Sequence, residues 1–177
     1  MKVVLHICCG VCAAGAGQAL LAEGHEVTGY YYNPNIYRPD EYYRRFDAAA
    51  KAAEHLGIRL FEGPYNADDW DRAASCLANE PERGRRCHVC YRFRLQQTYL
   101  FTLENQLDCF TSTLTISPHK PAAVINRIGQ EVGGDRFLPR DFKKKEGFKK
   151  AGELARSWGL YRQNYCGCKY SMQGAHR

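Results

Sequence analysis

A chain of 177 residues that is 45% hydrophobic and formally +6 at neutral pH has the size of one domain, able to bury roughly two thirds of its unfolded surface without cross-links. Its N-terminal MKVVLHICCG is too short in apolar residues for a leader, and no window approaches the ~20 apolar residues of a membrane span, so a cytoplasmic protein with no membrane partner is expected. Nine cysteines are an odd number for a disulfide framework, and in a reducing compartment they point to metal or redox chemistry.

Along the chain, apolar β-branched runs alternate with helix-length periodic segments, the signature of a parallel sheet with crossover helices. Strands are expected near Val3 to Ile7, Glu26 to Tyr32, Arg59 to Phe61, Cys109 to Thr111 and Arg136 to Leu138. Helices are expected over Ala13 to Glu23, Asp40 to Leu56, Ala67 to Ala78, His88 to Asn105, Lys120 to Val132 and Gly147 to Trp158. Gly24 and Gly57 fall just past helix ends and Pro121 at a first-turn position, where these residue types are favoured. The expected fold class is α/β: one domain over residues 1–177, a five-stranded parallel sheet with helices on both faces. Two stretches interrupt the pattern. The breaker-rich NEPERGRR makes residues 79–90 an inserted loop presenting a C-x-x-C pair, and residues 162–177 form an aperiodic tail carrying a C-x-C pair.

Seven cysteines sit in three knots: Cys8, Cys9 and Cys12 in HICCGVC, Cys87 and Cys90 in RRCHVCYRFR, and Cys166 and Cys168 in YRQNYCGCKYS. One four-thiolate site leaves a surplus, which implies two adjacent metal centres or one centre beside a redox-active thiol. The isolated Cys76 and Cys109 lie in apolar settings and read as small hydrophobes. In an open parallel sheet, ligands bind beyond the carboxyl ends of the strands. HICCGVC, YNPN, GPYN, TSTLTISPHK and PRDF each follow an expected strand, so five unusual loops converge on one edge. A C-x-x-C pair suits one metal, or else a thioredoxin-like dithiol, although that motif belongs directly after a first strand. C-x-C places two sulfurs on one iron only with strain, and Cys8 and Cys9 diverge if the strand is still extended there. A four-thiolate cluster beside a three-thiolate single metal with an open position accounts for all seven. Zinc ribbons are the runner-up.

His6 lies within the first strand and reads as a buried core histidine; His88, inside CHVC, reads as exposed. The turn after the first strand carries no G-x-G-x-x-G and no Walker lysine, which argues against ATP chemistry. Arg83, Arg85, Arg86, Arg92 and Arg94 are interleaved with Tyr91 and Phe93, and Lys143, Lys144, Lys145, Lys149 and Lys150 form a second basic run. These residues either compensate thiolate charge on a solvated face or track the phosphates of single-stranded or looped RNA.

HICCGVC, YYNPNI, RRCHVCYRFRL, FTSTLTISPHK, PRDFKKKEG and LYRQNYCGCKYS, in that order across nearly the whole chain, resemble the cobalamin-independent epoxyqueuosine reductases of the QueH family. The resemblance implies a sheet of the adenine-nucleotide alpha-hydrolase (HUP) type. It also implies the last step of queuosine synthesis, two-electron removal of the epoxide oxygen of epoxyqueuosine at the tRNA wobble position, with an external electron donor. It further implies a [4Fe-4S] cluster on Cys9, Cys87, Cys90 and Cys166, and a second, mononuclear iron on Cys8, Cys12 and Cys168. Arg85, Arg86, Arg92, Lys143 and Lys144 would hold the anticodon loop, and Asp141, Tyr32 or His119 would supply the proton. The first motif departs from the family pattern by lacking a proline before its last cysteine. Two other classes remain: a sulfur-inserting tRNA enzyme, which would need an ATP loop, and a zinc-stabilised RNA-binding module without catalysis.

Overall fold

The computed structural model describes residues 1–174. The last three residues of the tail expected over 162–177 lie outside them. Four parallel strands, β1 (Lys2–Ile7), β2 (Glu26–Tyr31), β3 (Arg59–Glu62) and β4 (Cys109–Ser112), form one sheet in the order β3-β2-β1-β4. The helices are α1 (Gly10–Ala22), α2 (Pro39–Leu56), α3 (Ala67–Ala74), α4 (Arg85–Glu104), α5 (Ala122–Gly133), α6 (Gly147–Ser157) and α7 (Lys169–Gly174).

The period of two in β1 divides the core. Val3, Leu5 and Ile7 pack with α1, α2 and α6 on one face, while Val4 packs with Leu95 of α4 and Ile125 and Ile128 of α5 on the other. Both faces of the central strand are therefore covered, as a parallel sheet requires. Truncating a fully buried side chain such as Leu5 to alanine is expected to cost about 2–5 kcal/mol. Gly24 and Gly57 both take positive φ just past helix ends, as anticipated. Among the described residues no helix is long and apolar enough to cross a membrane.

The sheet has four strands, not five. Around Arg136 to Leu138 the chain makes a 3-10 turn over Gly134–Arg136 and then a single parallel bridge from Phe137 to Phe110, with the Leu138 amide donating to the Phe110 carbonyl at 2.8 Å. Pro139 follows; having no N–H, it stops the ladder before a strand can form.

The loop expected over residues 79–90 is also shorter. Gly84 caps α4, so Cys87 and Cys90 stand on its first turns, and Glu80 Oε2 accepts from the amide of Arg85 at 3.1 Å. An accepting carboxylate there satisfies a first-turn amide that has no intrahelical partner. α1 likewise starts early, at Gly10, inside the first cysteine motif. Its close approach to α2 depends on that glycine, since a Cβ there would lie 2.4 Å from the Ala48 carbonyl oxygen.

Candidate metal centre

Strand order runs from β1 outward through β2 to β3 on one side and to β4 on the other. The reversal between β1 and β4 opens a crevice at their carboxyl ends. Cys8 and Cys9 follow Ile7 directly into it. The β1 ladder stops at Ile7, and Cys9, itself still extended, serves as the N-cap of α1 with Cys12 one turn further on. The expected divergence of Cys8 and Cys9 is nevertheless not seen: their sulfurs lie 3.9 Å apart, and the Sγ atoms of Cys8, Cys9 and Cys12 all lie within 4.8 Å of one another. Each offers one soft ligand atom, so this cluster can bind a metal.

The electrostatics suit thiolate. The N-terminus of α1 presents unpaired amides and the positive end of its dipole. Hydrogen bonds from the Cys12 and Cys9 thiols hold Cys8 well below the usual thiol range, and the bond to Cys8 pushes Cys12 well above it. Thr113, just past β4, takes the amide of Cys8 on its hydroxyl at 3.0 Å and lies 3.2 Å from the Cys8 sulfur.

The other four clustered cysteines line one cavity, although among the described residues no three of their sulfurs lie within 4.8 Å of one another. Cys87 and Cys90 from α4, with Cys166 and Cys168 from the tail, line one small cavity of about 20 Å³ together with Trp70, Arg94 and Lys120. The amide of Arg83 donates to Cys87 Sγ at 3.2 Å. Gly167, at φ +106°, turns the chain between Cys166 and Cys168, and both cysteines line this space. A hydrogen bond from Cys168, reinforced by the charges of Lys120, Arg94 and Arg45, holds Cys166 well below the usual thiol range, and the Cys166 thiolate in turn raises the Lys120 ammonium.

The tail reaches this position because Arg45 of α2 holds it. Its Nη1 and Nη2 donate to the carbonyls of Cys166 (2.9 Å) and Tyr165 (3.2 Å), while its Nε pairs with the buried Glu41 at 2.6 Å. Three buried polar atoms around the cavity have no partner among the described residues: Asn35 Oδ1, Trp70 Nε1 and Arg94 Nε. Buried donors beside thiols are what sulfur-rich metal sites require of their surroundings. The thiols and the two unused donors, Trp70 Nε1 and Arg94 Nε, fit an anionic metal–thiolate centre; Asn35 Oδ1, an acceptor, adds nothing to that fit.

A larger cleft, about 860 Å³, opens over Cys9 and Cys12 between residues 78–82 and the tail from Arg162 to Cys166. Phe148 stands at this cleft, and Gln163 Oε1, a residue of its lining, is buried without a partner among the described residues.

The remaining sequence candidates are dispersed. His119 is exposed and lines both spaces. Tyr32 and Asp141 line neither. The Tyr32 ring lies near Tyr30 and Phe93, and its hydroxyl donates to Asn66 Oδ1 at 2.9 Å; Asp141 pairs with Lys143 at 3.3 Å. Arg86, expected on an RNA-facing surface, is buried instead. It donates to the carbonyls of Leu77, Ala78 and Glu80 and lies 4.5 Å from the Tyr170 ring centroid. Arg92 pairs with Glu131, and Lys143 Nζ donates to the carbonyls of Thr115 (2.8 Å) and Lys120 (3.2 Å). Arg85 and Lys144 are exposed.

His6 is fully buried between Ser112 Oγ (2.8 Å) and the Tyr32 carbonyl (3.0 Å), and burial with the nearby Arg94 charge pushes its pKa down to about 3. His88 is half-buried rather than exposed. Sequence reasoning overlooks Thr113, Trp70 and Arg45 and places Arg94 on a solvated face. One signal is available for Arg94: positions 87, 90 and 94 share one side of a helix.

Comparison with known proteins supplies the frame for this site. The family model described as "Epoxyqueuosine reductase QueH" matches residues 3–174. The chain is 37% identical to the epoxyqueuosine reductase QueH of Streptococcus pyogenes, over 98% of this chain and 72% of that protein. It is 32% identical to that of Acinetobacter baylyi (99% and 83%) and 31% identical to that of Thermotoga maritima (96% and 90%). Among solved structures, a predicted subunit of tRNA methyltransferase from Methanocaldococcus jannaschii superposes with a TM-score of 0.59 at 13% identity, over 86% of this chain and 76% of that one. That likeness shows a shared fold. With the match running through all three cysteine knots, the chain belongs to the epoxyqueuosine reductase QueH family.

Proposed function

We propose that this chain carries out the reaction its family is named for, converting epoxyqueuosine to queuosine at the wobble position of tRNA. The observation that carries the reading is the convergence of seven thiols on one sheet edge: Cys8, Cys9 and Cys12 within 4.8 Å of one another, and Cys87, Cys90, Cys166 and Cys168 around a cavity that shares Cys166 with the cleft over Cys9 and Cys12. Cys8, Cys9 and Cys12 would hold a single iron with an open position, and Cys87, Cys90, Cys166 and Cys168 the [4Fe-4S] cluster. This exchanges Cys9 and Cys168 relative to the assignment that the resemblance implied, because grouping by cavity follows the thiols' neighbours. When bound, such centres would relay electrons and offer a Lewis-acid position for the epoxide oxygen.

The chain's own residues do the rest. Two electrons and two protons convert the epoxide to an alkene and water, the electrons coming from an external donor. Of the three acid candidates only His119 lines the cleft, so it is the residue assigned to deliver a proton to the departing oxygen. Gln163 Oε1 accepts a hydrogen bond from the modified base, and Phe148 offers an aromatic face on which a flanking base can stack. Exposed Arg162 and Lys144 hold anticodon-loop phosphates.

The test is anaerobic incubation of iron-loaded protein with epoxyqueuosine-containing tRNA and a reductant, followed by nucleoside mass analysis. Loss of one oxygen mass from the modified nucleoside supports the reading, with iron and sulfide counts on the same sample. A protein carrying only zinc that binds the tRNA without changing it would retire the reading in favour of a binding module.

A further inference from the structure

Arg94 is 2% exposed, yet no described carboxylate lies within ion-pairing distance of it. The contrast is Arg45, buried to a similar degree but paired with Glu41 and two carbonyls. A guanidinium stays protonated at any working pH, so Arg94 is a permanent buried cation. Buried charge without a counter-charge is too costly for a fold to retain unless something anionic occupies the space beside it.

Arg94 shares its cavity with four cysteines. It lines the cavity of Cys87, Cys90 and Cys166, and its charge acts on Cys8, Cys90 and Cys166 alike. One of its Nη groups donates to Asn33 Oδ1; Asn33 Nδ2 in turn donates to the carbonyl of Ile7 at 2.9 Å, one residue before Cys8. Its Nε remains buried and unpartnered. The guanidinium is thus fixed by a side chain that also braces the first cysteine motif, with its buried Nε unused among the described residues at the cavity of the second set.

We propose that Arg94 is the fixed counter-ion of the metal–thiolate centre, a positioning residue that offsets thiolate charge and favours the electron-rich state of the four-thiol site. Its effect on reduction potential rests on the iron–sulfur reading above. Its effect on metal affinity rests only on the thiolates.

The experiment compares the full chain with Arg94→Gln, Arg94→Lys, Asn33→Asp and Asn33→Leu. Cobalt(II) affinity is measured by chelator competition, the midpoint potential after anaerobic reconstitution with iron and sulfide, and folding by circular dichroism. Arg94→Gln removes the charge. Asn33→Asp leaves Arg94 in place but gives it a carboxylate; because it also removes the Nδ2 donation to the Ile7 carbonyl, Asn33→Leu, which loses that donation without adding charge, is measured beside it and sets its baseline. Arg94→Gln and Asn33→Asp are both expected to weaken cobalt binding by about tenfold or more, and to move the midpoint negative by ~59 mV for each tenfold in the one-electron equilibrium. Arg94→Lys, which keeps the charge, should stay within about threefold of the parent affinity, since only the fork geometry is lost. Affinities of Arg94→Gln within about twofold of the parent and of Asn33→Asp within about twofold of Asn33→Leu, with unmoved midpoints, would overturn the assignment; the same standard applies to Asn33→Asp alone if Arg94→Gln does not fold. If the parent takes up no iron–sulfur chromophore while the cobalt affinities separate, Arg94 stands and the iron–sulfur reading falls. If a normal cluster forms and neither measurement shifts, the reverse holds.

Discussion

Cys8 and Thr113 are joined twice: the Cys8 amide donates to the Thr113 hydroxyl at 3.0 Å, and that hydroxyl donates to the Cys8 sulfur at 3.2 Å. Thr113 is fully buried, so Thr113→Val keeps the shape while leaving a buried amide unpaired and the thiolate short of a donor. The expected loss is about 1–3 kcal/mol of stability, together with weaker metal binding. Thermal unfolding and metal competition check both effects, and Thr113→Ser should restore most of each.

Arg45 ties α2 to the tail through the carbonyls of Tyr165 and Cys166 and is neutralised by Glu41, on which Tyr161 also closes at 3.0 Å. Arg45→Met strands the Glu41 carboxylate and frees the C-x-C segment. A destabilisation of about 3–5 kcal/mol is expected for breaking a buried pair. Limited proteolysis should cut near residues 162–168 sooner than in the parent. Equal cleavage rates would mean that the tail is held by other contacts.

Gly10 allows α1 to lie against α2, because a Cβ would come within 2.4 Å of the Ala48 carbonyl oxygen and 2.6 Å of its carbon. Backbone cannot yield as a flexible side chain does. Gly10→Ala should therefore push α1 outward, dragging Cys9 and Cys12 with it. Overpacking of this kind costs about 1–3 kcal/mol or more, and metal binding is expected to fall further than stability does. Cobalt titration beside a denaturant curve separates the two.

The basic residues divide by what they already touch. Arg86 is consumed by the carbonyls of Leu77, Ala78 and Glu80, whereas Arg162 and Lys144 are exposed near the cleft and the lysine run. Removing one cation that neutralises a phosphate lowers the salt slope of RNA binding by about 1. Arg162→Ala and Lys144→Ala should each show that drop with unchanged melting temperature. Arg86→Ala should instead lower the melting temperature and leave the slope as it was. Fluorescence anisotropy of an anticodon stem-loop across a potassium chloride series reads all three.

The alternation of strands and helices, the clustering of function at one sheet edge and the identity of the seven thiols are legible in the sequence, since these follow from periodicity and spacing. Arg136 to Leu138 reads as a fifth strand because its side chains are strand-like, and only Pro139 and the glycine pair before it show that the ladder cannot continue. The pairing of thiols across the chain is out of the sequence's reach. It depends on where α1 begins and on how Arg45 folds the tail, and both are tertiary facts. Arg86 and Arg94 illustrate the same limit: in the sequence they belong to a basic stripe, yet the helix turns both inward.

The clamp by Arg45 also orders events in time. Synthesis runs from N- to C-terminus, and Cys166 and Cys168 come after every element that they join. The cysteines of the first motif and of α4 emerge with the sheet and helices that place them, but the four-thiol set stays incomplete until the tail docks on a finished α2. Any metal that set takes up would therefore arrive late, at a site completed only when the tail has docked.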